Sequence, residues 1–349
     1  MEAMGKALMR ELDWKMMAAK GPVSTVYFGG GTPSLFDLGQ LESLVSRCLA
    51  AGARPSEITL EANPEDITDE RLKAWLAMGI TRLSIGVQTF DDDRLQWMNR
   101  AHSSQQAVDA ILSAHALGFQ HLSADLIYGL PDRKMPFAHD LEKACGLPVD
   151  HLSAYILTVE DQTALGRNVQ KGLEHVAPES LVEAEYAMLC SSAKEAGFDH
   201  YEVSNFARSG GHAQHNQHYW TGLPFLGIGP GAHGFDGQQR LANVSNNPRY
   251  IAAVQKAQRL DDLPVERDVL SAHDRYNEGL MTGLRTAKGI DVEALENEYG
   301  HHPQTEDPDF WRQCIADRTI EPLGGSRYRI REEKWLVADR IASAFFVVE

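Results

Sequence analysis

Short runs dominated by β-branched and aromatic residues recur along the first two hundred positions, each followed by a longer stretch with helical spacing. The runs are 23–28 (VSTVYF), 57–62 (EITLEA), 82–87 (RLSIGV), 121–128 (HLSADLIY), 151–158 (HLSAYILT) and 198–204 (FDHYEVS). Between them, 38–50, 69–78, 104–117, 137–145 and 179–196 read as helices. Several open on capping signals, such as Thr68 before Asp69-Glu70 and Ser103-Ser104 before an apolar run. Strand starts lie 25 to 47 residues apart, room for a strand, a crossover helix and the next strand. A parallel sheet is the expected product.

Beyond residue 205 the pattern changes. Residues 207–237 are rich in Gly, His and aromatics and show no clear periodicity. Pro248 opens a predicted helix over 249–259, and Pro264 marks a boundary. From 265 the pattern predicts helices at 267–283, 291–299 and 308–317, a hairpin around Gly324-Gly325, and a closing helix over 333–345. Three expected units follow: 1–206, a connecting region 207–264, and a small helical C-terminal domain 265–349 that resembles a winged helix.

Composition narrows the function classes. Of 349 residues, 43% are apolar and 23% charged, which is globular composition. Asp and Glu number 49 against 33 Lys and Arg, a net charge of −16. Phosphate contacts need clustered cations, so nucleic acid is not an expected partner. The winged-helix-like segment does not change this, because it carries 17 acids against 11 bases. Charges at Lys6, Arg10, Glu11, Asp13 and Lys15 break any signal-peptide core, and the longest apolar stretch, Ile341 to Val348, is too short to span a bilayer. Cys48, Cys145, Cys190 and Cys314 are scattered, which supports neither a local metal pair nor a disulfide framework. A cytoplasmic protein that is not an integral membrane protein is expected.

In a parallel barrel the C-terminal strand ends build the site. Here those ends carry Gly29-Gly30-Gly31-Thr32-Pro33-Ser34, Glu61-Ala62-Asn63-Pro64, Gly86-Val87-Gln88, Asp125 and Tyr155. The triple glycine lets backbone groups approach a ligand, or simply makes a tight turn; it fits neither dinucleotide nor triphosphate loop patterns. Asp125, amid Leu126, Ile127 and Tyr128, needs compensation. An ion pair with Arg100 or a ligand contact would each supply it.

YFGGGTPS (Tyr27–Ser34), EANP (Glu61–Pro64), RLSIGVQTF (Arg82–Phe90), NRAH (Asn99–His102), DLIYGLP (Asp125–Pro131) and HLSAY (His151–Tyr155) occur in this order. The series resembles the radical S-adenosylmethionine (SAM) proteins related to oxygen-independent coproporphyrinogen III oxidase. The resemblance implies SAM contacts at Gly30, Gly31, Thr32, Glu61, Gln88, Arg100 and Asp125. In it, glycine backbone meets the methionyl amino group, Glu61 the ribose or adjacent polar atoms, and Arg100 the carboxylate. His215-Asn216-Gln217-His218-Tyr219-Trp220 matches the HNxxYW motif of HemW-type heme chaperones within that group, and Gly227–His233 (GIGPGAH) resembles the same subgroup. That match implies a heme site at His215, Tyr219 and Trp220, since a histidine beside stacking rings suits an axial iron ligand. Packing of a loop by a His–aromatic cluster is the competing reading of the same residues.

The resemblance also implies a first strand and a CxxxCxxC loop holding a [4Fe–4S] cluster. The 349 residues contain no such motif. An internal methionine standing as residue 1 is the expected cause, with true loss of the cluster as the alternative. The expected architecture is therefore α/β: a partial (β/α) barrel of radical-SAM type missing its first strand, followed by the small C-terminal domain. The expected function is a heme chaperone that binds heme and SAM and delivers heme to respiratory proteins. The alternative is an oxidoreductase of the coproporphyrinogen III oxidase type. Self-association through the strand at 23–28 is expected as well, because an unpaired apolar edge invites pairing.

Overall fold

The computed structural model describes residues 2–19 and 21–348. Its main sheet has seven strands: β1 (Thr25–Phe28), β2 (Glu57–Ala62), β3 (Arg82–Gln88), β4 (His121–Tyr128), β5 (His151–Ile156), β6 (Asp199–Glu202) and β7 (Asn205–Ala207). Their order is β1-β2-β3-β4-β5-β7-β6, and the sheet curls into a half-barrel. The first five strands are parallel, as the spacing predicts. The expected sixth strand is instead separated from β5 by the short β7, which runs antiparallel to both neighbours.

Crossover helices Leu38–Ala50, Asp69–Met78, Ser104–Leu117 and Phe137–Gly146 match the sequence expectation to within a residue. Local chemistry explains the agreement. Asp37 and Thr68 accept N–H groups of the first turns, and Ser103 with Gln106 completes a capping box. Gly79 and Gly118 then end two helices in the left-handed region, at φ 89° and 108°.

Alternation along the strands sorts the two faces of the sheet. Ile58, Leu60, Leu83, Ile85, Leu122, Ala124, Leu152 and Ala154 point outward and are buried in the main apolar core. Each fully buried Leu or Ile contributes roughly 1.5–3 kcal/mol. The positions between them, Glu57, Thr59, Glu61, Arg82, Ser84, Ser123, Asp125, His151 and Ser153, are polar. The concave face of the half-barrel is therefore a polar surface rather than a second apolar core.

The same apolar core continues into the C-terminal helices through Tyr276, Leu280, Trp311, Trp335 and Phe345. That region holds helices Ala272–Leu284, Val292–Tyr299 and Pro308–Ala316. It also holds a sheet of β11 (Ile290–Asp291), β12 (Ile320–Gly324) and β13 (Arg327–Ile330), paired in the order β11-β13-β12. Another sheet pairs β8 (His233–Phe235), β9 (Gln239–Ala242) and β10 (Glu266–Val269). Residues 266–269 are thus a strand, not the start of the helix expected over 267–283. The helix begins only after Ser271, whose hydroxyl accepts Asp274 N–H in a capping box. The helix expected over 249–259 runs from Asn247 to Lys256, and the closing segment is a 3₁₀ turn, Glu332–Val337, followed by a short helix, Ala338–Ser343. Within the stretch lacking periodicity lies one more helix, Gln214–Trp220. Among the described residues no helix is long and apolar enough to cross a membrane.

Candidate functional site

The concave face encloses a cavity of about 360 Å³, walled by side chains from β1 to β5 and by Ala213 and Asn216. That is nucleoside scale. Asp125 sits in its wall. The Ser84 hydroxyl donates to the carboxylate at 3.0 Å, the Ser123 hydroxyl donates from the same strand at 3.4 Å, and Ser153 is the register partner of Asp125 on β5. Removal from bulk water raises its pKa to about 7, while the serine hydrogen bonds pull it back down and the nearby Glu61 charge adds to the rise. Arg100 is not its partner, contrary to one of the two sequence readings. The Arg100 guanidinium donates to Asn63 Oδ1 at 3.3 Å and to the Gly86 carbonyl at 3.2 Å. A Cβ on residue 86 would stand 2.9 Å from Gln88 Nε2 and 3.0 Å from that guanidinium, so both side chains would have to shift to admit one.

The glycine loop follows β1 directly. Gly30 and Gly31 have φ of 76° and 63°, and nothing lies within 4 Å of where their Cβ atoms would be. Gly30 N–H donates to Glu61 Oε2 at 3.0 Å, and the Tyr27 hydroxyl donates to Glu61 Oε1 at 2.7 Å. A side chain on Gly29 would meet the Tyr27 ring at 2.4 Å. Thr32 opens the 3₁₀ turn Pro33–Leu35. Gln88 lines the cavity in a left-handed conformation, φ 68°, where the β3–β4 register breaks. Strain of that kind in a non-glycine residue persists only where the surroundings enforce it.

Of the residues expected to contact SAM, the structure places Glu61, Gln88 and Asp125 in the cavity wall and Arg100 behind Gly86; Gly30 reaches the wall through its bond to Glu61, and Gly31 and Thr32 follow it in the loop outside the lining. Sequence reading missed Thr59, Arg82, Ser84 and Ser123 as site residues, although period-two polarity in β2 to β4 marks them. Thr59 Oγ1 and Arg82 Nη1 are buried and make no hydrogen bond within the protein, Asp150 lying 4.0 Å from the latter. His151 closes the floor between Ser123 and Tyr201, each 2.7 Å from a ring nitrogen. Burial and the Arg82 charge hold its pKa well below the usual value, so the ring is neutral.

The HNxxYW segment is fastened to this floor. Arg82 Nε donates to Glu57 Oε2 at 3.0 Å, and its Nη2 donates to the carbonyls of Gly211 at 2.9 Å and His212 at 3.2 Å. Glu57 in turn accepts the N–H groups of Gln214 and His215 at 3.1 and 3.0 Å. The His215 ring then lies stacked on Tyr27, centroids 5.0 Å apart, with Nδ1 2.8 Å from Thr25 Oγ1 and Nε2 3.1 Å from the Tyr219 hydroxyl. Burial lowers its pKa to about 4. Trp220 points elsewhere, with the Arg285 guanidinium 6.0 Å from its ring centroid.

A family model, the radical SAM superfamily, matches residues 8–143. The heme chaperone HemW of Bacillus subtilis is 34% identical over 284 residues, covering 80% of this chain and 74% of that protein. The HemW of Mycobacterium tuberculosis is 38% identical over 295 residues, 83% of this chain and 74% of that one. This chain belongs to the HemW family of radical SAM proteins. The mitochondrial radical S-adenosyl methionine domain-containing protein 1 of Bos taurus is 40% identical, covering 89% of this chain and 68% of that protein. The coproporphyrinogen III oxidase of Escherichia coli superposes with a TM-score of 0.81 over 98% of this chain and 82% of its own. Their 20% identity makes that a likeness of fold.

Membership of this superfamily implies SAM and a [4Fe–4S] cluster. The cavity fits the first. Two carboxylates suit an adenosyl sulfonium cation, serine and threonine hydroxyls suit a ribose, and two buried polar atoms await partners. The cysteines do not fit the second. All four are free and distant in sequence, and burial raises the thiols of Cys48, Cys190 and Cys314 to about 11. Among the described residues no group of three or more potential ligands could hold a metal ion. No step through a cluster follows from these residues.

Proposed function

We propose that this chain is a heme chaperone that binds SAM on the concave face and heme at the HNxxYW segment, delivering heme to respiratory proteins in the cytoplasm. The observation that carries this reading is the 34–38% identity to proteins named heme chaperone HemW over about four-fifths of the chain. SAM, when bound, supplies a sulfonium cation and a polar nucleoside. Glu61 and Asp125 offset its charge, Gly30 and Gly31 present backbone to its methionyl end, and the serines of β3 to β5 meet its hydroxyls.

A tetrapyrrole is too large for the cavity to engulf, so the heme site lies at the outer face of helix Gln214–Trp220. Tyr219 is exposed there, and His215 offers Nε2 once it exchanges its bond with the Tyr219 hydroxyl. Trp220 serves this site less directly than Tyr219, because its ring faces Arg285. Titration with hemin, followed at the Soret band, tests the reading on the parent, His215→Ala, His218→Ala and the double variant. Loss of the coordinated spectrum in His215→Ala is expected. Unchanged affinity and spectrum in the double variant would remove the motif as the ligand site.

A further inference from the structure

Tyr27 touches both proposed sites at once. Its hydroxyl donates to Glu61 Oε1 at 2.7 Å, and the other oxygen of that carboxylate accepts Gly30 N–H at 3.0 Å. Its ring is stacked on His215, centroids 5.0 Å apart and planes 21° from parallel. The glycine loop, a carboxylate, a phenol and an imidazole thus form one continuous chain of contacts across β1 and β2. His215 has little freedom to respond in any other way. Its backbone is held by Glu57, its Nδ1 by Thr25, and its edge meets the Tyr219 ring at 5.0 Å and 85°. What remains adjustable is the tilt of the Tyr27 ring against the imidazole.

We infer that Tyr27 is a positioning residue that couples the glycine-loop site to His215. A ligand seated against Glu61 and the Gly30 N–H competes for the carboxylate that holds the Tyr27 hydroxyl. The phenol then shifts, and its tilt against the pinned imidazole changes with it. The inference rests on the two-site reading above, and it adds that the two sites are not independent. By linkage the effect is reciprocal: heme at His215 changes affinity at the glycine loop by the same factor. Burial supports the idea, because desolvation beside Glu61 and Asp125 keeps the Tyr27 hydroxyl a donor at any ordinary pH.

The test needs no heme. In the full chain labelled at histidine Cε1, the His215 resonance is assigned by its loss in His215→Gln. Tyr27→Phe keeps the ring and removes the bond to Glu61; Glu61→Ala removes the acceptor from the other side. Each is expected to displace the His215 resonance, and the double variant is expected to move it no further, since both act through one bond. Should Glu61→Ala fail to fold, Glu61→Gln, which keeps an acceptor but no charge, is expected to move the resonance less than Tyr27→Phe. A His215 signal indifferent to position 61, or shifts that simply add, overturns the coupling. A second arm uses SAM, with binding measured independently by equilibrium dialysis. Bound SAM should move the resonance in the parent, and the displacement should largely vanish in Tyr27→Phe; bound SAM with an unmoved resonance overturns the proposal. The third arm is hemin affinity with and without SAM, expected to differ on the order of fivefold in the parent and to converge in Tyr27→Phe. Absence of hemin binding with the ring displacement intact sinks the heme reading and leaves the coupling standing.

Discussion

Glu57 Oε1 accepts the backbone N–H of His215 at 3.0 Å, although the two residues are 158 positions apart in the chain. The same carboxylate binds Arg82, and both side chains are only 3% exposed. Removing one member of such a pair strands the other as a buried charge. Glu57→Ala is therefore expected to cost about 3–5 kcal/mol. Glu57→Gln, which keeps an acceptor oxygen, should cost less. Urea unfolding of the three proteins measures the difference, and a change within 0.5 kcal/mol of zero, the usual range for surface substitutions, would show the pair to be dispensable.

A second buried carboxylate ties the opening helix, Glu2–Ala18, to the Gly-rich segment. Glu11 is fully buried and accepts from Lys15 and Asn243 at 2.7 Å, from Gly229 N–H at 2.8 Å and from the Tyr250 hydroxyl at 2.6 Å. Every lone-pair direction is in use, so Glu11→Ala leaves several donors without a partner. A loss of about 3–5 kcal/mol is expected, together with faster hydrogen exchange at Gly229. Protection at Gly229 equal to the parent's would contradict it.

Both carboxylates show where the sequence stops being informative. Strands and crossover helices were legible because the signals are local: alternation, Thr68 and Ser103 as caps, Gly79 and Gly118 as stops. The β10 strand was misread because its four residues, Glu266–Val269, are all exposed and show no apolar alternation; the Ser271–Asp274 capping box was the signal that starts the helix after it. The polar concave face was legible in principle, since residues 57, 59, 61, 82, 84, 121, 123 and 125 alternate with apolar ones. The rule that a parallel barrel builds its site at the C-terminal strand ends drew the reading there and away from the polar face between them. The partners of Glu57, Arg82 and Tyr27 could not be read at all. They come together through contacts 25 or more residues apart, which no local signal encodes.

Asp125 makes stability depend on pH in a defined direction. Its pKa rises from 3.8 to about 7 in the fold. Between those values the folded state binds more protons than the unfolded chain, so this group's contribution falls as pH rises from about 4 to about 7 and is level above that. The full effect is roughly 2–4 kcal/mol, the lower figure allowing for solvent in the cavity. Asp125→Asn should lose this slope. Unfolding midpoints of parent and variant from pH 5 to 8 measure it, and parallel curves would refute the assignment.

Among the described residues β1 is the edge of the seven-stranded sheet and pairs with β2 alone. The helix Gln214–Trp220 covers its concave side, through His215 against Thr25 and Tyr27, and leaves the edge itself open. Open edges template pairing with another chain. Self-association that grows with concentration is expected by light scattering, with rapid hydrogen exchange at the amides of Thr25 and Tyr27, which face away from β2. A monodisperse monomer in which those amides exchange slowest would count against it.

Hemin coordination should follow the unusual acidity of His215. An imidazole ligates iron only when neutral, and an ordinary exposed histidine is half-protonated near pH 6.5. Burial lowers the His215 value to about 4, with the Glu57 charge opposing and His218 assisting the shift. A lowered pKa means the neutral form persists as pH falls. Affinity should therefore stay flat from pH 8 to about 5 and decline only as pH passes through about 4. A surface histidine acting as the ligand would lose affinity from pH 7 downward, about tenfold per unit below its pKa. The measurement is the hemin dissociation constant across this range in the parent and in His218→Ala. Two flat curves that bend together near pH 4 assign coordination to His215. A loss of affinity that begins well above pH 4 and disappears in His218→Ala moves the ligand one helical turn along and reduces His215 to the residue that Tyr27 and Thr25 hold in place.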